Sequence, residues 1–563
     1  METTSLLPLA AVVVPVVTSV VIGLTRRTPS VRDASLVVGA LVTFGIVAAT
    51  ALEVLDGRVP TTVLGELVPG YELSLAADGM GTVFAVLASF LWVLAGFYAI
   101  GYMRGDHASN QTRFYAFYSL CLATAFGVAF AGDLLTFFIA YELLTVTTYP
   151  LVTHKGDGKA LTAGRTYLGY LLTGGALVLL AMMIVIAITG ELSFTPGGFV
   201  GDQLGTGLTV VVFALFAVGF GTKAGLLPLH RWLPGAMVAP TPVSALLHAV
   251  AVVKGGVFAF GRFLGFVLGP EALAGIDARQ VLTYAAAITI VVASIIALRQ
   301  DHLKRRLAYS TIAHLAYIVL GFSLLTPSGF EGSLLHILNH GVAKITLFFA
   351  AGAIHIAAHK DHVSELDGIG RRMPFTMVAF GLASFSLAGL PPAGGFVSKF
   401  TLVTGALEAG DWIAAGVMVF AGLFTAGYLF PVVYRAFFKP EVAPEPGAAA
   451  VPAGAGAVVA GVGEGDGGPV AHTPAPSDQA APDDHGHGQD AHHDDHGHRQ
   501  DAHHDDHGHG QDAHHADHGE AAASMVVPIV ITGTLALALG LGDWTGLYGL
   551  AAEVAAAVTG VGG

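Results

Sequence analysis

Apolar runs of about twenty residues recur along almost the whole chain, and a run of that length crosses the hydrocarbon core of a bilayer as a helix. Inside lipid every backbone N–H and C=O must find a partner within the protein, so only helices and closed barrels can span. Runs this long and this evenly apolar carry the helical signature rather than the alternating one of a strand. Composition agrees. Of 563 residues, 54% are hydrophobic and 12% are charged, against about 25% charged in ordinary soluble domains. The predicted fold class is an all-α polytopic membrane protein. Leu6–Leu24 reads as a first span and not as a cleaved leader, because it is long and lacks a basic stretch before it. The one cysteine, Cys121, excludes an intrachain disulfide framework and a cysteine-ligated cluster held by this chain alone. No cofactor and no nucleic-acid partner is expected.

About 14 transmembrane helices are expected, near residues 6–24, 34–55, 79–103, 114–132, 133–152, 164–189, 207–229, 241–266, 280–298, 304–325, 331–358, 373–406, 411–434 and 524–541. Charge supports the order. Of 26 lysines and arginines, four lie inside spans: Lys223, Lys254, Lys344 and Lys399. Nineteen lie in or beside the loops after odd-numbered spans, among them Arg26, Arg27, Lys155, Lys159, Lys304 and Arg305. Basic loops stay on the cytoplasmic side. Both termini are therefore expected outside a bacterial or archaeal cell membrane.

Two spans carry the same interruption. Lys223 to Pro228 reads KAGLLP, and Leu387 to Phe400 reads LAGLPPAGGFVSKF. Each has Ala-Gly-Leu before a proline and a lysine close by. They lie five spans apart, and an odd offset reverses orientation in the membrane. That is the mark of two inverted five-helix repeats with broken helices 7 and 12, the best sequence pointer to a transport path. The chain then divides into helices 1–3 (1–113), a first repeat (114–266), a second repeat (280–437), a loop (438–523), and helix 14 with a tail (524–563). The loop repeats the unit DDHGHGQDAHH and holds 13 of the 25 histidines between Asp483 and Glu520. Such a segment cannot bury a core and is expected to be disordered, on the cytoplasmic side. His485, His487, His492, His493, His496 and His498 are candidates for weak binding of zinc, nickel or copper. A solvated, pH-buffering insert is the other reading.

The ionisable residues within spans are costly there and so point to function. Glu142 is the one carboxylate placed deep in a span, and a carboxylate at that depth calls for a nearby cation, for which Lys223 is the candidate. A structural ion pair is the alternative, as a snorkelling lysine is for Lys223. His248 shares span eight with Ser244 and Lys254. In span ten Ser310, His314 and Tyr317 share one face, either as a polar core cluster or as a relay. In span eleven His336, His340 and Lys344 stand at i, i+4 and i+8 on one stripe, with Asn339 beside them. Two histidines so spaced can ligate a metal. The lysine one turn on repels a cation, however, and no acidic ligand is near, so the stripe reads as a proton-transfer path and no metal is expected in the spans. Lys399 completes the row.

These stretches resemble a known family. YELLTVTTYPL, GTKAGLLPLHRWLPGAMVAPTPVSALLHAVAVVKGG, LAYSTIAHLAYIVLG, HILNHGVAKITLFFAAGAI and GLPPAGGFVSKF are similar to the antiporter-like subunits shared by Mrp-type multisubunit cation/proton antiporters, respiratory NADH dehydrogenase and membrane-bound hydrogenases. The resemblance covers about residues 80–435 and is strongest to the D subunit of Mrp antiporters. It implies fourteen core helices, inverted repeats 4–8 and 9–13, a glutamate–lysine pair at Glu142 and Lys223, central groups at Lys254, His336, His340 and Lys344, and a terminal lysine at Lys399. It implies a secondary transporter subunit, not an enzyme, that passes protons while Na⁺ or K⁺ is exchanged, with the other subunits of the complex as partners. Two rivals stand beside it: a proton-pumping subunit of a redox-driven complex, and a metal transporter or sensor using the histidine-rich loop.

Deleting Asp483–Glu520 is expected to leave cation/proton exchange largely unchanged, since the repeat can neither pack nor span. Exchange per assembled complex in everted vesicles checks this, and its loss at normal assembly would reject the reading.

Overall fold

The computed structural model describes residues 2–441 and 519–560. A small sheet of β1 (Glu2–Thr4), β2 (Val59–Val68) and β3 (Tyr71–Ala76) is split in sequence by two helices, α1 (Leu7–Leu24) and α2 (Pro29–Leu55), which lie between β1 and β2. β1 is parallel and β3 antiparallel to the central β2. Next come α3 (Gly79–Gly105), α4 (Gln111–Phe130), α5 (Leu134–Val152), α6 (Gly158–Thr189) and α7 (Gly205–Ala224). A short α8 (Trp232–Gly235) leads to α9 (Thr241–Ala249), α10 (Val252–Arg262) and α11 (Gly269–Ala272). The second half holds α12 (Ala278–Arg299), α13 (Leu303–Leu324), α14 (Pro327–Ala358), α15 (Ile369–Arg372), α16 (Pro374–Ala388), α17 (Gly394–Glu408) and α18 (Trp412–Phe438). After the histidine-rich segment come α19 (Ala523–Ala538) and α20 (Leu547–Thr559).

The protein is a mostly helical, polytopic membrane protein. Among the described residues twelve helical stretches are long and apolar enough to cross a membrane. α16, α19 and α20 are apolar but shorter, at 15, 16 and 13 residues. Two elements lie outside the sequence reading. Val59–Val68 is interrupted by Gly65 and exposed along its second half, so its extended form depends on pairing with its neighbours. α20 lies in what reads as a tail, because a 13-residue run is too short to register as a span, yet it packs on α3 and α14.

α14 is the central helix. It packs against α3, α9, α13, α16, α17, α19 and α20, and it is buried from Gly332 to Ile354. Small residues let its neighbours come close, as in other membrane helix pairs: a Cβ on Gly405 of α17 would collide with the backbone of Gly329. The segment from Thr241 to Leu268 is likewise buried throughout, its Ser244, His248, Lys254 and Arg262 included.

Both expected breaks are present, and in each the freed backbone groups are satisfied partly by local backbone bonds and partly by side chains. α7 ends at Gly225, whose positive φ of 72° is the left-handed cap that glycine adopts most readily. Beyond it the Trp232 indole N–H donates to the Thr222 carbonyl at 2.8 Å, and the Leu227 N–H donates to Thr289 Oγ1 at 3.2 Å. α16 ends at Gly389, with φ 82°. There Lys399 Nζ donates to the Leu387 carbonyl at 2.7 Å, and the Gly395 N–H donates to Ser386 Oγ at 3.1 Å. A third break was not expected. Span eight, read as continuous over 241–266, is interrupted at Val250–Ala251 between α9 and α10 and passes into a π-helical turn at Phe263–Leu268. No glycine or proline marks Val250–Ala251, so local sequence gives no sign of it; such irregular turns in helices often mark functional sites.

The six candidate metal-binding histidines of the repeat lie outside the described residues. Glu520, at the end of that loop, caps α16: its carboxylate accepts from the Phe375 N–H at 2.7 Å and from Thr376 Oγ1 at 2.6 Å. A deletion of the repeat should therefore stop before Glu520.

One ion pair, buried on its arginine side and part-exposed at its carboxylate, ties the first half together. Arg262 of α10, 2% exposed in its side chain, pairs with Asp78, which also caps α3 through the Gly81 N–H at 2.8 Å. The guanidinium is walled by Phe194, Phe258 and Phe266. Arg262→Ala removes the charge-assisted bonds to Asp78 and is expected to cost about 1.5–3 kcal/mol of stability. Unfolding in detergent measures it; a change under about 0.5 kcal/mol, the range of a neutral surface substitution, would show the pair is dispensable.

Candidate functional site

Lys223, Lys254, Lys344, Lys399, His248, His336 and His340 are all buried in the bundle. Glu142 is only partly buried. How these groups meet is not what their order along the chain suggests.

Lys223 stands in the last turn of α7, where the helix dipole favours a positive charge. Its Nζ donates to the Tyr141 carbonyl at 2.5 Å and lies 3.2 Å from the centre of the Tyr141 ring. Among the described residues it makes no contact ion pair with Glu142, so the structural ion pair named above as the alternative is not what holds it. Adjacent residues on a helix point about 100° apart, and the lysine has reached the tyrosine side of α5. The Glu142 carboxylate is instead pressed against Gly175 of α6, where any Cβ would overlap it, and its Oε1 is buried without a hydrogen-bond partner. Gly174 likewise makes room for Thr222 of α7. The Gly174–Gly175 pair thus brings α5, α6 and α7 together around the two charges.

The central groups form a chain across α10, α13, α14 and α17. Lys254 Nζ is hydrogen-bonded to His340 Nδ1 at 2.9 Å. The His340 and His314 rings lie 5.3 Å apart. His314 Nδ1 is bonded to His336 Nε2 at 3.0 Å, and His336 Nδ1 to Ser398 Oγ at 2.9 Å. Lys399 follows Ser398 and reaches the C-terminal end of the half-helix α16 at Leu387, with its Nζ 5.0 Å from the centre of the Tyr317 ring. Lys344 takes a side branch: its Nζ donates to Ser310 Oγ at 2.6 Å and to the Leu307 carbonyl at 3.2 Å, and Ser310 continues to the Tyr428 hydroxyl at 2.9 Å.

His248 stands apart. Its ring stacks on Phe348 at 4.6 Å, and neither nitrogen has a partner. Ser244 Oγ, one turn away, and His314 Nε2 and His340 Nε2 are also buried without protein partners. Buried polar atoms of this kind are normally satisfied by internal water. No group of three or more ligating side chains suited to a metal ion occurs among the described residues.

His314 is the link the sequence left undecided, since its spacing with Ser310 and Tyr317 fits either a polar cluster or a relay. It bridges the two histidines of α14, which do not bond to one another; their rings are 5.9 Å apart. Ser398, Tyr428, Tyr141 and the Gly174–Gly175 pair carry no sequence signal of their own beyond their nearness to charged residues.

A multi-span bundle with broken helices and a row of lysines and histidines through its core defines the antiporter-like class of membrane subunits. The family profile described as "NADH:quinone oxidoreductase/Mrp antiporter, TM" matches residues 131–425, more than half of the chain. The N subunit of NADH-quinone oxidoreductase from Desulforudis audaxviator is 37% identical over 434 residues, covering 73% of this chain and 85% of that protein. The D subunit of the Na⁺/H⁺ antiporter from Alkalihalophilus pseudofirmus is 28% identical over 389 residues, covering 69% and 78%. A chain of the Mrp complex from Dietzia sp. DQ12-45-1b has the same fold, with TM-score 0.75 over 99% of this chain and 98% of that one at 21% identity. The chain belongs to the family of antiporter-like transmembrane subunits shared by NADH:quinone oxidoreductases and Mrp antiporters.

The Lys254–His340 bond makes those residues energetically coupled. Lys254→Met and His340→Leu are each expected to destabilise, and the double variant to cost less than their sum by about 1–2 kcal/mol. Denaturation of all four proteins measures the coupling; additivity within about 0.5 kcal/mol, as for residues that do not touch, would show that they do not interact.

Proposed function

We propose that this chain is a proton-translocating subunit of an Mrp-type Na⁺ or K⁺/H⁺ antiporter. The observation that carries proton transfer is the contact chain Lys254–His340, His314–His336–Ser398, with Lys399 at its end. Lysine and histidine exchange protons readily, and histidine does so near neutral pH. Internal water beside the unpartnered atoms of His248, His314 and His340 would join the segments. Each proton held in so apolar a space alters the field at the next group by several kcal/mol over a few ångströms, so transfers are coupled. Glu142 and Lys223 act together at the other end through space, across Tyr141, and not as a contact pair.

The Mrp assignment is supported by the antiporter relative from Alkalihalophilus pseudofirmus and by the end-to-end match with a chain of an Mrp complex. In this reading spans 4–8 and 9–13 are inverted repeats, the breaks at Gly225 and Gly389 occupy equivalent places, and the basic-loop face is cytoplasmic. The second reading, a proton-pumping subunit of a redox-driven complex, is favoured by the 37% identity to an NADH-quinone oxidoreductase subunit. Purifying the complex through a tag on this chain separates the two: antiporter subunits and Na⁺- or K⁺-driven proton release, against cluster-bearing subunits and proton movement driven by a reductant.

Lys399→Ala and Lys344→Ala are each expected to abolish exchange at normal assembly, read with a pH dye in everted vesicles. Glu142→Gln and Lys223→Ala are expected to do likewise, with the double variant no worse than either single, as for residues acting as a unit. Robust exchange per assembled complex in any of the four removes that residue from the path; robust exchange in Glu142→Gln leaves it a structural role only.

A further inference from the structure

A cleft of about 240 Å³ opens on the basic-loop face, outside the lysine–histidine chain. Its charged lining comes from separate elements: Lys155 before α6, Lys159 in the first turn of α6, and Lys304 and Arg305 in the first turn of α13. Two carboxylates also line it, and both are engaged. Asp157 caps α6 through the Ala160 N–H at 2.7 Å. Asp361 is bonded through both oxygens to His355 Nδ1 at 3.0 Å, a bond that holds its carboxyl below the usual range. The cations are not so placed. Lys155, Lys159 and Arg305 make no hydrogen bond or ion pair among the described residues, and Lys304 spends one of its three N–H donors on the Ala239 carbonyl at 3.0 Å. His302 presents a buried Nδ1 without a partner.

The placement is electrostatically unfavourable as it stands. The N-terminus of a helix is its positive end, where cations are disfavoured, yet Lys159 stands at one such end and Lys304 and Arg305 at another. The side chain before α13, His302, does not cap it. Burial and the neighbouring Lys304, His362 and Arg305 charges outweigh Asp361 and hold His302 below its ordinary pKa. A cation is repelled by such a cleft, which separates it from an ion path. An oxyanion meets the free donors of Lys155, Lys159 and Lys304 and the fork of Arg305, beside the positive end of α13, whose first N–H, Leu303, is already taken by the Asp361 carbonyl at 2.8 Å. The cleft also lies where α6 and α13 begin and α14 ends, the depth at which lipid phosphates sit around helices that cross the hydrocarbon core.

We propose that this cleft binds a phosphate group, either the headgroup of an acidic phospholipid or free inorganic phosphate. The inference does not depend on which ion the protein moves.

The test uses the full chain within its purified complex, stripped of lipid in detergent. Thermal unfolding is followed during titration with inorganic phosphate, with short-chain phosphatidylglycerol, and with phosphatidylcholine of the same chain length, whose choline cation opposes the site. The variant Lys155→Gln/Arg305→Gln changes two exposed, unpartnered side chains and should fold normally; Lys159→Gln is the second. The expected result is saturable stabilisation of the unaltered protein, with its midpoint raised about tenfold in the double variant through loss of two charge-assisted contacts. Saturation by inorganic phosphate assigns the free ion; saturation by phosphatidylglycerol alone assigns the headgroup. No stabilisation by either, equal stabilisation by phosphatidylcholine, or an unchanged midpoint in both variants overturns the proposal.

Discussion

The carbonyl of Leu387 has lost its helical partner, and the ammonium of Lys399 takes it. The rest of the structure depends on exchanges of this kind. A helix can be interrupted in lipid only if every backbone group it releases finds another partner inside the protein. The break at Gly389 therefore requires a donor, and a lysine is a donor that also carries a charge. The same break leaves the negative end of a half-helix facing the core, which favours that charge. At Gly225 the carbonyl of Thr222 is shared between the Gly225 N–H and the Trp232 indole, while Lys223, in the same last turn, donates to α5. At Gly389, satisfying the backbone and siting a buried cation are one solution; at Gly225 they are two, an indole on the break and a lysine bonded to the neighbouring helix.

Those cations need not sit in a rigid structural lattice. A buried ion pair between Glu142 and Lys223 would hold both charges fixed. The geometry gives Lys223 to the carbonyl and ring of Tyr141 and leaves one carboxylate oxygen of Glu142 without a partner. The histidines are arranged in the same way: each of His314 and His340 has one nitrogen engaged and one open. Groups with an open nitrogen can accept a proton on one side and release it on the other, which a fully satisfied network cannot do. The contrast with Arg262 and Asp78 is instructive. That pair is closed by charge and walled by three aromatic rings, and its chemistry is that of a staple.

Much was legible in the sequence. The length and spacing of the apolar runs determined that the chain is a helical membrane protein, because lipid admits almost nothing else. The two segments with Ala-Gly-Leu ahead of a proline announced the breaks at Gly225 and Gly389, because glycine and proline act on the local backbone. The i, i+4, i+8 stripe of His336, His340 and Lys344 placed three ionisable groups on one face of α14, because helical periodicity is local as well. Tertiary structure alone decided the rest. The link from His336 to His340 runs through His314 on a different helix, and the partner of Lys223 is the neighbour of the expected glutamate. Span eight breaks at two ordinary residues, Val250 and Ala251. Each of these depends on how helices distant in sequence are rotated against one another, to within the few degrees and tenths of an ångström that a hydrogen bond allows, and no single stretch of the chain encodes that rotation.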